Sequence, residues 1–117
     1  GGSMAASYVD GNPAVAADLF LLASYPAGSN DLSGRATLRV LSISATNDGL
    51  ATPEKIEASR ALLPADTVFI AVEGGNHAYF GYYGEQAGDG QALISREDQQ
   101  NQVVEAFLNF LAAQDGQ

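Results

Sequence analysis

The chain has 117 residues, 14 of them acidic against five Lys and Arg, for a formal net charge of −9. A surface that acidic repels phosphate backbones and anionic membranes, which argues against nucleic acid and membrane as partners. There is no cysteine, so thiol catalysis and disulfides are excluded, and no apolar run nears the roughly 18 residues of a membrane span; the expectation is one soluble, cytoplasmic domain without a targeting signal, burying about 60 to 70% of its unfolded surface.

Taken in chain order, residues 3–9 (SMAASYV) are compatible with a helix that Gly11, Asn12 and Pro13 interrupt, giving a first helical unit over 1–12. Residues 18–25 (DLFLLASY) and 37–45 (TLRVLSISA) are almost continuously apolar or small. That pattern suits strands covered on both faces of a parallel sheet. A helix over 52–63 follows, punctuated by Thr52 as N-cap, Pro53 at the first helical position, early Glu54 and Glu57, late Arg60, and Pro64 as the stop. A third buried strand is expected at 67–72 (TVFIAV), which makes a βαβ unit with a right-handed crossover. Ser95 and Asp98 then read as a capping box opening a helix from about 96 to 113. Val103, Val104, Phe107, Leu108 and Leu111 recur at three- and four-residue steps and predict one apolar stripe along it. The fold class is therefore α/β, a three-layer αβα sandwich around three mainly parallel strands, with no linker or internal repeat.

Ligands of open parallel sheets gather beyond the carboxyl ends of the strands. Two polar groups fall there. Asp48 lies in "ATNDG" directly after the second strand, and His77, the only histidine, lies in "GGNHA" directly after the third. Adjacent parallel strands are about 5 Å apart, so an acid and an imidazole on their trailing loops can meet. A carboxylate on one imidazole nitrogen fixes the tautomer and leaves the other nitrogen to take a proton from a nucleophile. The competing readings are a hydrogen-bonded loop histidine and an Asp-Gly turn.

This arrangement resembles the second half of an α/β-hydrolase-fold enzyme of the esterase and dienelactone-hydrolase-like kind. In that fold the acid follows the seventh strand, the histidine follows the eighth, and a long helix closes the domain. The resemblance assigns Asp48 as acid, His77 as base and residues 96–113 as the closing helix, and it covers nearly the whole chain. The stretch "GGNHAYFGYYGEQAGDGQALISREDQQ" is also similar to a subgroup of uncharacterised hydrolases whose histidine precedes a Gly- and aromatic-rich loop.

The family's nucleophile sits in a G-x-S-x-G elbow between the fifth strand and the next helix. The opening "GGSMAAS" is similar to the tail of such an elbow, with Gly1 and Gly2 as its last two positions. The serine then falls two residues before Gly1, outside the chain, and the isolated chain is expected to be inactive. Two rival readings remain: Ser3 as nucleophile of a G-x-S-x-A elbow, with no strand before it to hold the turn, and Gly1 to Ser3 as an artificial leader ahead of Met4.

The resemblance implies a sheet cut between its fifth and sixth strands, which leaves 18–25 as a long apolar edge, uncharged in its middle (LFLLA), a template for pairing. The expected partner is a second copy, forming a symmetric dimer through antiparallel pairing of this strand, or a separate N-terminal hydrolase fragment. The resemblance also implies an open site without a lid and a small substrate, with Tyr25, Tyr79, Phe80, Tyr82 and Tyr83 lining an acyl or aromatic pocket; the alternative is that these aromatics pack the glycine loop against the last helix. No cofactor or metal is expected. "GDG" at 88–90 and "SNDLSG" at 29–34 read as turns and not as calcium loops, one His without Cys makes a poor zinc set, and no glycine pattern follows a strand and opens a helix as nucleotide phosphates require.

Overall fold

The computed structural model describes residues 17–25, 31–34, 38–81 and 86–115. The expected helix over 1–12, the elbow residues and Ser3 all lie outside them, as do Tyr82 and Tyr83. Three parallel strands form one sheet in the order β1 (Ala17–Leu22), β2 (Leu38–Ala45), β3 (Val68–Val72). Register runs from Ala17 beside Leu38 to Leu22 beside Ile43, and from Leu41 beside Val68 to Ala45 beside Val72. The first strand ends at Leu22, three residues before the expected boundary, because Ala23 adopts φ 51°, a left-handed conformation that a strand cannot continue through.

Two helices cover opposite faces. Helix α1 (Pro53–Ser59) is shorter than the 52–63 expected, since its last turn tightens into a 3₁₀ segment, Arg60–Leu62. Its start follows the sequence: Thr52 Oγ1 accepts from the Lys55 N–H, and proline opens the first turn. Helix α2 (Arg96–Asp115) opens with Ser95 Oγ accepting from the Asp98 N–H.

Alternation along the strands sorts the core into two layers. Leu19, Leu21, Leu38 and Val40 point to one face and pack with Leu32 and Leu63. Leu41, Ile43 and Val72 point to the other and meet Phe110, Val103 and Ala106 of α2. Leu21, Val40 and Leu41 are almost wholly buried, and each contributes roughly 1.5–3 kcal/mol of transfer free energy. Arg39 ties α2 to the sheet: its guanidinium stacks 4.1 Å over the Phe110 ring, donates to the Phe110 carbonyl at 2.8 Å, and lies 4.0 Å from Asp18.

Two expectations about burial are corrected. Only β2 is covered on both faces; Phe20, Leu22, Val68 and Ile70, all on the α2 side of the outer strands, are more than a third exposed. Among the described residues one helix, about 10 Å wide, lies across this side, and it spans the central strand without covering both margins. The predicted stripe on α2 is likewise split. Gln99, Val103, Ala106 and Phe110 face inward, whereas Val104 and Phe107 remain exposed beside the β1 margin and Leu108 is exposed as well. No helix of the described residues is long and apolar enough to cross a membrane.

Candidate functional site

The hydrogen-bond ladder between β2 and β3 continues past the strands. Thr46 N–H donates to the Val72 carbonyl at 3.1 Å, Asn47 N–H to the Gly75 carbonyl at 2.9 Å, and Gly74 N–H to Thr46 Oγ1 at 2.8 Å. The two trailing loops therefore run side by side as the strands do. Gly74 then turns with φ 81°, a conformation suited to glycine.

Asp48 and His77 meet at the end of this ladder. Asp48 Oδ2 and His77 Nδ1 are 2.9 Å apart. The other carboxylate oxygen, Oδ1, accepts the N–H groups of Leu50 at 2.7 Å and Ala51 at 2.8 Å, which also turns the chain toward α1. The Asp48 side chain has no solvent exposure; that of His77 is 27% exposed. A carboxylate can only accept, so a proton shared with it belongs to Nδ1, and a ring protonated there alone presents its lone pair at Nε2. Nε2 makes no hydrogen bond with any described residue. The sequence expectation that these two side chains meet at neighbouring strand ends is matched by their positions.

Around the pair lies a backbone clamp that residue spacing alone does not reveal. Asp89 stands in the "GDG" stretch that reads as a plain turn. Its Oδ1 accepts from Gly49 N–H at 3.2 Å, His77 N–H at 3.1 Å and Gly90 N–H at 2.9 Å, while Oδ2 accepts from Ala78 N–H at 3.0 Å. One carboxylate thus holds the residue after the acid, the histidine itself and the residue after the histidine. Asn76 donates to the Gly90 carbonyl at 3.0 Å and accepts from Tyr79 N–H at 3.0 Å. Gln99, fully buried in the first turn of α2, pairs with Asn76 twice, accepting its N–H at 3.1 Å and donating to its carbonyl at 2.8 Å. The one hint in the sequence was a set of short polar side chains flanked by glycine on both sides of His77.

Partial burial of Asp89 pushes its carboxyl upward, but the N–H groups of Ala78, His77, Gly49 and Gly90 together outweigh this and hold it below the usual carboxylate range. A group depressed in the folded state adds stability that is fully present above its unfolded value, about 3.9, and is lost as pH falls through the folded value. Thermal melts followed by circular dichroism are expected to show the midpoint falling below pH ~4, with a shallower fall in Asp89→Asn; equal slopes would remove Asp89 as the source.

The aromatic residues divide. Phe80 bridges the β2–α2 layer and the cluster of Ala23, Ala51 and Ile56, and Tyr25 packs on that same cluster. Both have packing roles beside the site. Tyr79 lies under the Arg96 guanidinium at 4.8 Å. Tyr82 falls outside the described residues.

Residues 1–101 match the sequence model of the alpha/beta hydrolase family. No curated protein and no solved structure gives a significant match.

Proposed function

Because the chain belongs to the alpha/beta hydrolase family, we propose that Asp48 and His77 are the acid and base arms of a Ser-His-Asp triad in an ester or acyl hydrolase. The observation carrying this reading is the 2.9 Å contact between Nδ1 and a fully buried carboxylate, with Nε2 making no hydrogen bond among the described residues. In such a site Nε2 takes the serine proton as the hydroxyl attacks the acyl carbon, and the resulting imidazolium, stabilised by Asp48, returns the proton to the leaving alkoxide. Water then repeats the sequence on the acyl-enzyme.

Under the resemblance set out above, the serine belongs to an elbow ending at Gly1 and Gly2. A polypeptide or partner supplying that elbow completes the triad, and the 117 residues by themselves are expected to be inert. The test is turnover of a p-nitrophenyl acetate ester by the chain alone and by the chain joined to, or mixed with, an elbow-bearing segment. Turnover only in the completed form, lost on His77→Ala, is the expected result. Turnover by the chain alone that vanishes on His77→Ala would refute its inertness. Turnover of the completed form that survives His77→Ala would refute the triad.

A second reading rests on the open β1 margin. Phe20 and Leu22 continue into Val104 and Phe107 of α2, forming an apolar groove of about 230 Å³. We infer a homodimer in which two β1 strands pair antiparallel about a two-fold axis perpendicular to the sheet. That axis keeps both α2 helices on one side and brings each apolar margin against its own copy, an isologous contact. In this reading the protein is a non-catalytic assembly module that retains Asp48 and His77 by descent. Light scattering should then give twice the chain mass, and Leu22→Lys, which sets a charge in the seam, should weaken association about tenfold or more. A concentration-independent monomer would eliminate the dimer.

A further inference from the structure

We propose that Asp89 is a positioning residue for His77, fixing the imidazole against Asp48 through the backbone of both catalytic loops; this rests on the triad reading above. The acid and the base come from different loops, and their only direct side-chain link is one hydrogen bond. The ladder bonds between the two loops end at Asn47 and Gly75, before the acid and the base, and one bond between the side chains does not by itself set ring orientation. Asp89 supplies the missing constraints. Its carboxylate reaches Gly49, adjacent to the acid, and His77 and Ala78, the base and its successor. Three of the four bonds therefore join the two loops through one rigid, charged, planar group.

The segment carrying Asp89 is itself seated on the acid loop. Asn47 donates from Nδ2 to the Gln91 carbonyl at 3.0 Å, and a Cβ on Gly90 would run into the Asn47 carbonyl oxygen. On the other side, Asn76 Nδ2 holds the Gly90 carbonyl. The segment is thus held by Asn47 through Gln91 and by Asn76 through Gly90, independently of the Asp89 carboxylate, which allows Asp89 to orient the ring instead of following it. The carboxylate touches no reacting atom in this arrangement. Its effect is on the fraction of time that Nδ1 lies within hydrogen-bond reach of Asp48.

His77 is the only histidine, so its ring nitrogens and protons are read without ambiguity by NMR. The experiment compares the wild-type chain with Asp48→Asn, Asp89→Asn and Asp89→Ala at a pH where the ring is neutral. It measures the two ring ¹⁵N shifts and the water-exchange rate of the low-field Nδ1–H proton. The wild type is expected to show a single tautomer protonated at Nδ1 and a protected proton that Asp48→Asn abolishes. Asp89→Asn is expected to keep a folded amide spectrum while mixing the tautomers and speeding Nδ1–H exchange about tenfold, the consequence of losing charge-assisted bonds on both loops. Asp89→Ala should go further in the same direction.

Two failures separate. A wild-type ring with mixed tautomers, unchanged in Asp48→Asn, overturns the triad reading and this proposal with it. A wild-type ring locked as expected, and equally locked in the folded Asp89→Asn variant, overturns the positioning role alone, whatever stability that variant has lost. If Asp89→Ala is unfolded, Asp89→Asn decides, since it keeps one acceptor oxygen and the side-chain volume.

Discussion

Under the triad reading, Asp48→Asn is expected to lower kcat of the chain joined to an elbow-bearing segment by about four orders of magnitude while leaving the fold in place. The substitution preserves shape, and its remaining oxygen can still accept the N–H groups of Leu50 and Ala51. What changes is the partner of His77. The amide NH₂ then faces Nδ1 at the 2.9 Å position, where it can only donate, so the ring must present a lone pair there and carry its proton on Nε2. That tautomer cannot accept a proton from serine. Loss of the negative charge also removes the stabilisation of the imidazolium formed during attack. The measurement is steady-state ester hydrolysis with KM determined separately. A fall confined to KM would show that Asp48 shapes the binding surface and does not orient the base. Asp48→Ala differs in kind, because it also strands the buried Ala51 N–H and the part-buried Leu50 N–H and costs stability of roughly 2–4 kcal/mol.

Gly90→Ala should be the most damaging single-methyl change near the site, with Gly49→Ala close behind. A Cβ on Gly90 meets the Asn47 carbonyl oxygen, and one on Gly49 meets the Gly88 carbonyl oxygen. Both obstacles are backbone atoms, so no rotamer change relieves them. The loops must separate, and the bonds from Gly49 and His77 to Asp89 stretch with them. A loss of about 3 kcal/mol is expected, a large share of the 5–15 kcal/mol typical of a domain. Urea unfolding followed by circular dichroism measures it. Wild-type stability in both variants would mean that the 86–91 segment is not seated on the acid loop.

How much of this could be read from residues alone follows from the range of the forces involved. The strands and both helices were legible because propensity, capping and apolar runs act locally: Thr52 and Pro53 start α1, and Ser95 caps α2. Asp48 and His77 were legible because parallel strands deliver their trailing residues to one edge. Burial was harder. The runs in β1 and β3 are as apolar as that of β2, yet only the central strand is covered twice, since coverage depends on how many helices lie across the sheet. The inward face of α2 departs from the apolar stripe for a related reason. Its orientation is set by Gln99, a polar residue bonded to Asn76 twenty-three positions away, and by Arg39 on Phe110, so an apolar pattern along the helix could not reveal it. Asp89 was hidden because its four donors are backbone groups, three of them more than ten residues distant, which no spacing of side chains records.

The continuation of the β2–β3 ladder into both trailing loops has an engineering consequence. Asp48 and His77 are held by contacts among residues 46–51, 74–80 and 86–99 that do not pass through β1. A backbone break or circular permutation placed before β2 would leave the Asp48–His77 pair and its clamp intact, which under the triad reading suits the chain to a split-reporter design. A break in 86–91 would dismantle it.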